Sequence, residues 1–184
     1  MNIVTYALID AARDYVRIGL ARSLSLPGIS LFEGAKGQQL EDVAPHLFLC
    51  DPVGQMGEIL LAPDGQDGCG VLLDARIDVM QVRRHLRHFL LVRRQRDMKK
   101  VYFRFYDPRV LRAFLPACTA HELTRFFGPI TAFHCQGDNP GEVLTFTLSQ
   151  GKLQLVQNDW KAFLTAHFPK RQEVAARIIA SPST

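Results

Sequence analysis

The chain has 184 residues, of which 47% are hydrophobic, and a formal net charge of +4. A chain of this length and apolar content can bury a full hydrophobic core as one compact unit. No apolar run approaches the roughly 20 residues that cross a bilayer, and the N-terminus lacks the charged-then-apolar pattern of a secretory signal, so we expect a cytoplasmic protein without membrane insertion.

Apolar runs separated by Gly, Pro and Asp predict the elements of the first 70 residues. The segment Asp51–Gly70 is the richest in these turn-forming residues and predicts a mobile surface loop. The expected order is a strand over Ile3–Ile9, a helix over Ala11–Ser23 capped by Asp10, a strand over Ile29–Phe32, a turn over Gly34–Gln38, a strand over His46–Cys50 and a short helix or extended piece over Met56–Leu61.

A basic segment stands out in the middle of the chain. The window Arg76–Arg104 holds ten Lys or Arg residues against two acids, a net +8 that leaves the remainder of the chain mildly acidic. Within it, apolar residues recur at three- and four-residue spacing and predict a helix that Asp78 caps. Arg83, Arg84 and Arg87 would flank its apolar face, with Arg93 and Arg94 near its C-terminus. Such a face suits an acidic or polar partner.

An aromatic strand follows the basic helix. Val101–Tyr106 alternates between an apolar side and a side with Tyr102, Arg104 and Tyr106. With a strand over Val71–Asp74 before the helix, this predicts a right-handed strand–helix–strand crossover between parallel strands. The sequence therefore predicts an α/β fold with a mixed β-sheet, flanking helices that include this crossover, and a small C-terminal helical segment.

The remaining elements follow from turn residues and periodicity. We place a soft domain boundary between an α/β lobe over residues 1–135 and a C-terminal hairpin and helices over residues 136–184; the alternative is that both parts form one domain. The expected elements are helices over Arg109–Leu115 and Ala120–Phe127, a strand over Ile130–Cys135, a hairpin of Glu142–Leu148 and Lys152–Gln157 that turns at Gln150-Gly151, a helix over Trp160–Phe168 and a last helix that begins at Pro169.

Several phrases resemble one known family. YALIDAAR, SLFEG, VAPHLFLC, RRHLRHFL, FRFYDPRVL and FFGPI occur in order between about Tyr6 and Pro129. They are similar to the adaptor, or chaperone, domain of bacterial type VI secretion systems, whose members load toxic effectors onto the secretion spike. The resemblance implies that the chain binds the N-terminal segment of an effector. It also implies a second contact, with the C-terminal extension of the spike protein. The matching positions are Arg83, Arg84, Arg87, Arg104, Asp107 and Arg109.

Candidate site residues can also be explained by a role in stabilising the fold instead of a role in binding a partner. Asp107, followed by Pro108, is typical of a helix N-cap and would pair with Arg104 or Arg109. Trp160 and Phe163 lie on the apolar stripe of the terminal helix, either in its core or on the wall of a partner-binding groove. His85 and His88 could meet an acidic group or simply be solvated.

Chemistry-bearing motifs are missing from the sequence. His46, His121 and His134 have no further ligand at metal-binding spacing, and the sequence contains no phosphate loop and no nucleophile elbow. The four cysteines, none in a Cys-x-x-Cys pair, suit reduced and mostly buried thiols. We therefore expect no cofactor, no metal and no enzymatic activity. The alternative to the adaptor is a nucleic-acid-binding protein that uses the basic helix and the aromatic strand.

Overall fold

The structure is a computed structural model that describes residues 2–24, 26–32, 40–61, 69–94 and 96–170. The predicted turn at 34–38 and the last helix beyond Pro169 lie outside the described residues, as do residues 62–68 of the predicted loop over 51–70. The strands are β1 (Val4–Asp10), β2 (Gly28–Ser30), β3 (Pro45–Leu49), β4 (Gly70–Ala75), β5 (Leu91–Arg93), β6 (Lys100–Tyr102), β7 (Ile130–Gln136), β8 (Glu142–Ser149) and β9 (Lys152–Asp159). The α-helices are α1 (Tyr15–Ser23), α2 (Gln55–Leu61), α3 (Val79–Arg87), α4 (Pro108–Ala117), α5 (Ala120–Phe127) and α6 (Trp160–His167).

Seven of these strands form one sheet in the order β2-β3-β1-β4-β7-β8-β9, and each neighbouring pair is antiparallel. Helices cover both faces. The face that carries Leu8, Leu73 and Phe133 packs against α3, α4 and α5, while the face that carries Ile9 and Leu72 packs against α1, α2 and α6. Burial on both faces explains why the central strands are continuous apolar runs.

The α/β class and the flanking helices are confirmed, but the predicted parallel crossover is wrong. Both neighbours of β4, the strands β1 and β7, run antiparallel to it. β6 instead pairs with β5 in a separate two-stranded antiparallel sheet. Only six residues separate β5 from β6, so pairing within this hairpin closes a much shorter loop than a crossover would. The strand is also shorter than Val101–Tyr106, because its pairing ends at Tyr102 and a turn follows in which the N–H of Asp107 donates to the carbonyl of Arg104.

The start of α1 also differs from the prediction. Asp10 ends β1 and is fully buried, whereas Asp14 caps the helix by accepting a hydrogen bond from the backbone N–H of Arg17 at 3.0 Å. Similarly, α3 ends at Arg87, so Arg93 lies in β5 instead of near a helix C-terminus.

The C-terminal hairpin is confirmed. Strands β8 and β9 pair over their full lengths, and Gln150 and Gly151 form the turn with φ angles of 51° and 74°. β8 also pairs with β7, so the main sheet runs across the predicted boundary at residue 136. The boundary itself stays a prediction. The cysteines are free, with Cys69 and Cys135 buried and Cys50 and Cys118 half-buried.

Candidate partner-binding surface

The corner between β6 and α4 carries the first part of the surface. Asp107 is buried and caps α4, and its carboxylate accepts a hydrogen bond from the backbone N–H of Arg109 at 3.0 Å. The guanidinium of Arg109 binds the same carboxylate in bidentate fashion, at 3.1 and 2.7 Å. Arg13 reaches it from the segment after β1, at 3.2 Å. The predicted cap and the pair with Arg109 are confirmed.

A second ion pair crosses the same corner. Arg104 donates to the carboxylate of Asp10, which is fully buried at the end of β1. Of the two partners predicted for Asp107, Arg109 is the one observed, whereas Arg104 pairs with Asp10. In both pairs that join the two motifs, Asp10 with Arg104 and Arg13 with Asp107, the partners are 94 residues apart. YALIDAAR and FRFYDPRVL thus form one structural unit.

The unit directs cationic groups outward. Its carboxylates are buried, whereas the side chains of Arg104 and Arg109 are 43% and 47% exposed. Tyr106 is buried beneath them, and burial, aided by the charge of Asp10, raises the pKa of its phenol to about 12. Beside the unit lies a shallow open depression of about 620 Å³ along α4, lined by Asp107, Arg109, Val110, Ala113 and Phe114.

We expect Asp107→Ala to lower the free energy of unfolding by about 1–3 kcal/mol, because it removes a helix cap and a shared ion-pair partner. The ion pairs contribute the smaller part, since solvent screens the half-exposed arginines. Asp107→Asn is the matched control, because Asn caps helices about as well as Asp. Urea denaturation measures both variants. An unchanged midpoint for Asp107→Ala would contradict the structural role and leave Asp107 as a partner contact.

The three arginines of α3 do not share one environment. Arg83 is half-buried and donates to the backbone carbonyls of Ser30 and Phe32, at 2.7 and 3.0 Å, so it fixes the end of β2. Arg87 is half-buried, and Arg84 is exposed. His85 turns inward, with its Nε2 2.8 Å from the carbonyl oxygen of Phe126, and burial lowers the pKa of its imidazole.

Most of the exposed positive charge of the segment Arg76–Arg104 lies instead on the basic hairpin, which we define as residues 91–102 with strands β5 and β6. Its five cations, Arg93, Arg94, Arg96, Lys99 and Lys100, are all exposed. Leu91 faces Tyr102 across the strands, and Arg93 faces Lys100. These four side chains share one exposed face, on which Leu91 and Tyr102 are 52% and 59% exposed.

Sequence reasoning missed this hairpin. A usable signal was present in the two apolar triplets, Leu90–Val92 and Val101–Phe103, that flank a short polar segment. The ring of Tyr102 lies 6.0 Å from that of Phe32, and the exposed Arg104 follows two residues after Tyr102.

The two candidate site residues of the terminal helix, Trp160 and Phe163, lie on α6 and not on the basic hairpin. Phe163 is buried in the core beneath α6, and its ring stacks on that of His167 at 4.8 Å. Trp160 is half-buried, and its backbone N–H donates to the carbonyl of Gly141. Their contacts in this structure are therefore internal ones.

A buried polar cluster beneath α6 also escaped the sequence analysis. Asp74, His134 and His167 lie in β4, β7 and α6. Because they are far apart in the sequence, no local spacing of residues indicates that they form a cluster. Burial raises the pKa of the Asp74 carboxyl, but hydrogen bonds to His134 and His167 outweigh it and hold that pKa well below its ordinary value. Burial lowers the pKa of His134.

The fold and the corner define an α/β domain with a helix–sheet–helix arrangement and an exposed cationic surface. The chain belongs to a family described as a domain of unknown function, DUF4123, which matches residues 5–125. The match includes the corner unit and the basic hairpin and stops within α5. No curated protein and no solved structure is significantly similar to the chain. No helix in the described parts of the chain has the length and apolar character that crossing a membrane requires.

Proposed function

We propose that this protein is a type VI secretion adaptor, which binds an effector through the effector's N-terminal segment and loads it onto the spike protein. The observation that carries the proposal is the union of the YALIDAAR and FRFYDPRVL motifs in one ion-paired unit. Both motifs resemble those of the adaptors, and the unit exposes Arg104 and Arg109, of which Arg109 lines an open depression. Membership of the DUF4123 family over the same residues is consistent with it.

The surface has the chemistry of a protein interface. Tyr and Arg are among the residues most enriched at interface hot spots, and here Tyr102 and Arg104 are both exposed and two residues apart. The facing pair Arg93 and Lys100 brings like charges together, which destabilises an isolated hairpin. An acidic segment of a partner would neutralise this repulsion. We therefore assign the effector's N-terminal segment to the face that runs from the basic hairpin to the α4 depression.

The mechanism is stoichiometric binding without turnover, and no cofactor takes part. A second contact with the spike protein's C-terminal extension would complete the loading complex. Complementary charge of this kind accelerates encounter and selects the partner more than it adds to affinity. The surface charge is therefore expected to set the rate of effector capture.

Co-expression with the neighbouring genes tests the proposal. We expect a toxin gene and a spike gene beside the gene for this chain, and their products are the probes. We expect the full chain to form a 1:1 complex with the toxin in size-exclusion chromatography, and a toxin without its N-terminal segment to elute alone. Equal binding of the truncated toxin would contradict the assigned contact. If neither the full-length toxin nor the truncated toxin binds, the adaptor function is contradicted.

Nucleic-acid binding is the second candidate, and the exposed cations and Tyr102 of the basic hairpin favour it. A protein that neutralises several phosphates loses affinity log-linearly with salt. For an adaptor, we expect only weak binding of mixed-sequence duplex and single-stranded oligonucleotides at about 150 mM salt. Fluorescence anisotropy from low to high salt measures this. Tight, steeply salt-dependent binding without a protein partner would contradict the adaptor proposal.

A further inference from the structure

The polar cluster beneath α6 brings three metal-ligating side chains together. Nε2 of His134 lies 3.2 Å from Oδ2 of Asp74, and Nε2 of His167 lies 3.2 Å from Oδ1 of Asp74. One ligand atom from each residue falls within 4.8 Å of the other two. Asp74 and His134 are buried, and the side chain of His167 is 20% exposed, which leaves one approach from solvent.

Strand register produces this convergence. Asp74 lies opposite Thr5 of β1, and His134 lies opposite Thr145 of β8. His134 faces Leu72, two residues before Asp74, so the two side chains lie diagonally on the face of the sheet that α6 covers. His167 completes the cluster from the end of α6. The ligands are 60 and 33 positions apart in the sequence, and this is why spacing rules applied to His134 found no site.

We propose that Asp74, His134 and His167 bind a divalent transition-metal ion of the zinc class. A tetrahedral zinc ion with bonds of about 2.0–2.1 Å places neighbouring ligand atoms roughly 3.4 Å apart. The two nitrogen–oxygen distances of 3.2 Å already approach that separation. Two imidazoles and one carboxylate are a common zinc ligand set, and the fourth position would be left for water.

The surroundings have the features of a metal site. Nδ1 of His134 lies 2.9 Å from Oγ1 of Thr145, a partner that can fix the tautomer with its lone pair on Nε2. Thr5 donates to Oδ1 of Asp74 at 2.8 Å and orients the carboxylate. The rings of Phe163 and Phe168 pack against His167 and form an apolar wall.

Charge also favours a cation at this position. The side chains that contact the Asp74 carboxylate in the described parts of the chain are Thr5, His134 and His167, and none of them carries a permanent positive charge. A buried carboxylate is costly unless it is paired with a cation or coordinates a metal. A bound divalent ion would supply that charge and would join β4, β7 and α6 at one point.

Calorimetric titration of the full chain with ZnCl₂, after chelator treatment and without a histidine tag, tests the site. We expect one Zn²⁺ per chain, a dissociation constant in the low micromolar range or tighter, and a higher melting temperature. His167→Gln should weaken binding at least about 100-fold, and Thr145→Val about 10–100-fold. His121→Gln changes an exposed histidine far from the cluster and should leave binding unchanged.

Circular dichroism confirms that each variant is folded, and Co²⁺ gives an independent readout on the unmodified chain. Visible absorption bands of tetrahedral Co²⁺ that Zn²⁺ displaces would support the site. No stoichiometric zinc uptake by the wild type would overturn it. Equal zinc affinity of His167→Gln and His121→Gln, with both folded, would show adventitious binding only and would also overturn it.

Discussion

Phe126→Ala is expected to lower the free energy of unfolding by about 3–5 kcal/mol, the usual cost of removing a large aromatic side chain from a core. Phe126 is 1% exposed and lies at the centre of an aromatic cluster. Its ring centroid is 5.1–6.4 Å from those of five others, namely Phe89, Phe103, Phe105, Phe114 and Phe133. The surrounding rings belong to different segments and cannot collapse together into the space, so the cavity stays open.

Urea denaturation of the purified variants measures this effect. Phe126→Leu retains most of the apolar volume and should lose clearly less stability than Phe126→Ala. Leu155→Ala on β9 is the exposed control, expected to change the unfolding free energy by no more than about 0.5 kcal/mol. A loss below about 1.5 kcal/mol for Phe126→Ala would mean that the aromatic cluster does not hold α4, α5 and the residues after β6 together.

Elements buried on both sides were the easiest to predict. The strands β1, β4 and β7 are mostly apolar, and each predicted bound differs from the observed one by at most one residue. The β8–β9 turn was equally accessible, because Gln150-Gly151 adopts two positive φ angles that Gly and polar residues favour. Local sequence carries this information directly.

Contacts between segments that are distant in the sequence could not be predicted from local sequence in the same way. The prediction placed β6 beside β4, yet it pairs with β5, and nothing in the alternation of Val101–Phe103 distinguishes the two partners. Asp10 has the spacing of a helix cap, yet Arg104, 94 residues away, holds it at the end of β1. Composition identified the basic segment, but only the fold shows that Arg83 binds backbone carbonyls and that most exposed cations of the segment lie on the hairpin.

The second large effect concerns the effector. The double variant Lys100→Gln/Tyr102→Ala removes one charge and one aromatic ring from the exposed face of the basic hairpin and leaves the ion pairs of Arg104 and Arg109 intact. We expect effector affinity to fall by about 2–4 kcal/mol, because truncation of an interface hot spot costs at least about 2 kcal/mol. Slower association at low salt should contribute, since a steering charge is lost.

A matched control lies at the other edge of the main sheet. Lys152→Gln/Leu155→Ala also removes one exposed charge and one exposed apolar side chain, but from β9. The hairpin lies near Phe32, just beyond the edge strand β2, so the two variants sample opposite edges of the molecule. We expect the control to bind the effector within a few tenths of a kcal/mol of the wild type.

Isothermal titration calorimetry of wild type, hairpin variant and β9 control with the effector's N-terminal fragment, with circular dichroism to verify folding, is the most direct test of the adaptor account. It predicts tight 1:1 binding by the wild type and the β9 control, and an affinity at least about 30-fold weaker for the hairpin variant. Equal affinities for all three folded proteins, or loss of binding in the β9 control alone, would contradict the assignment of the basic hairpin as the effector-binding surface.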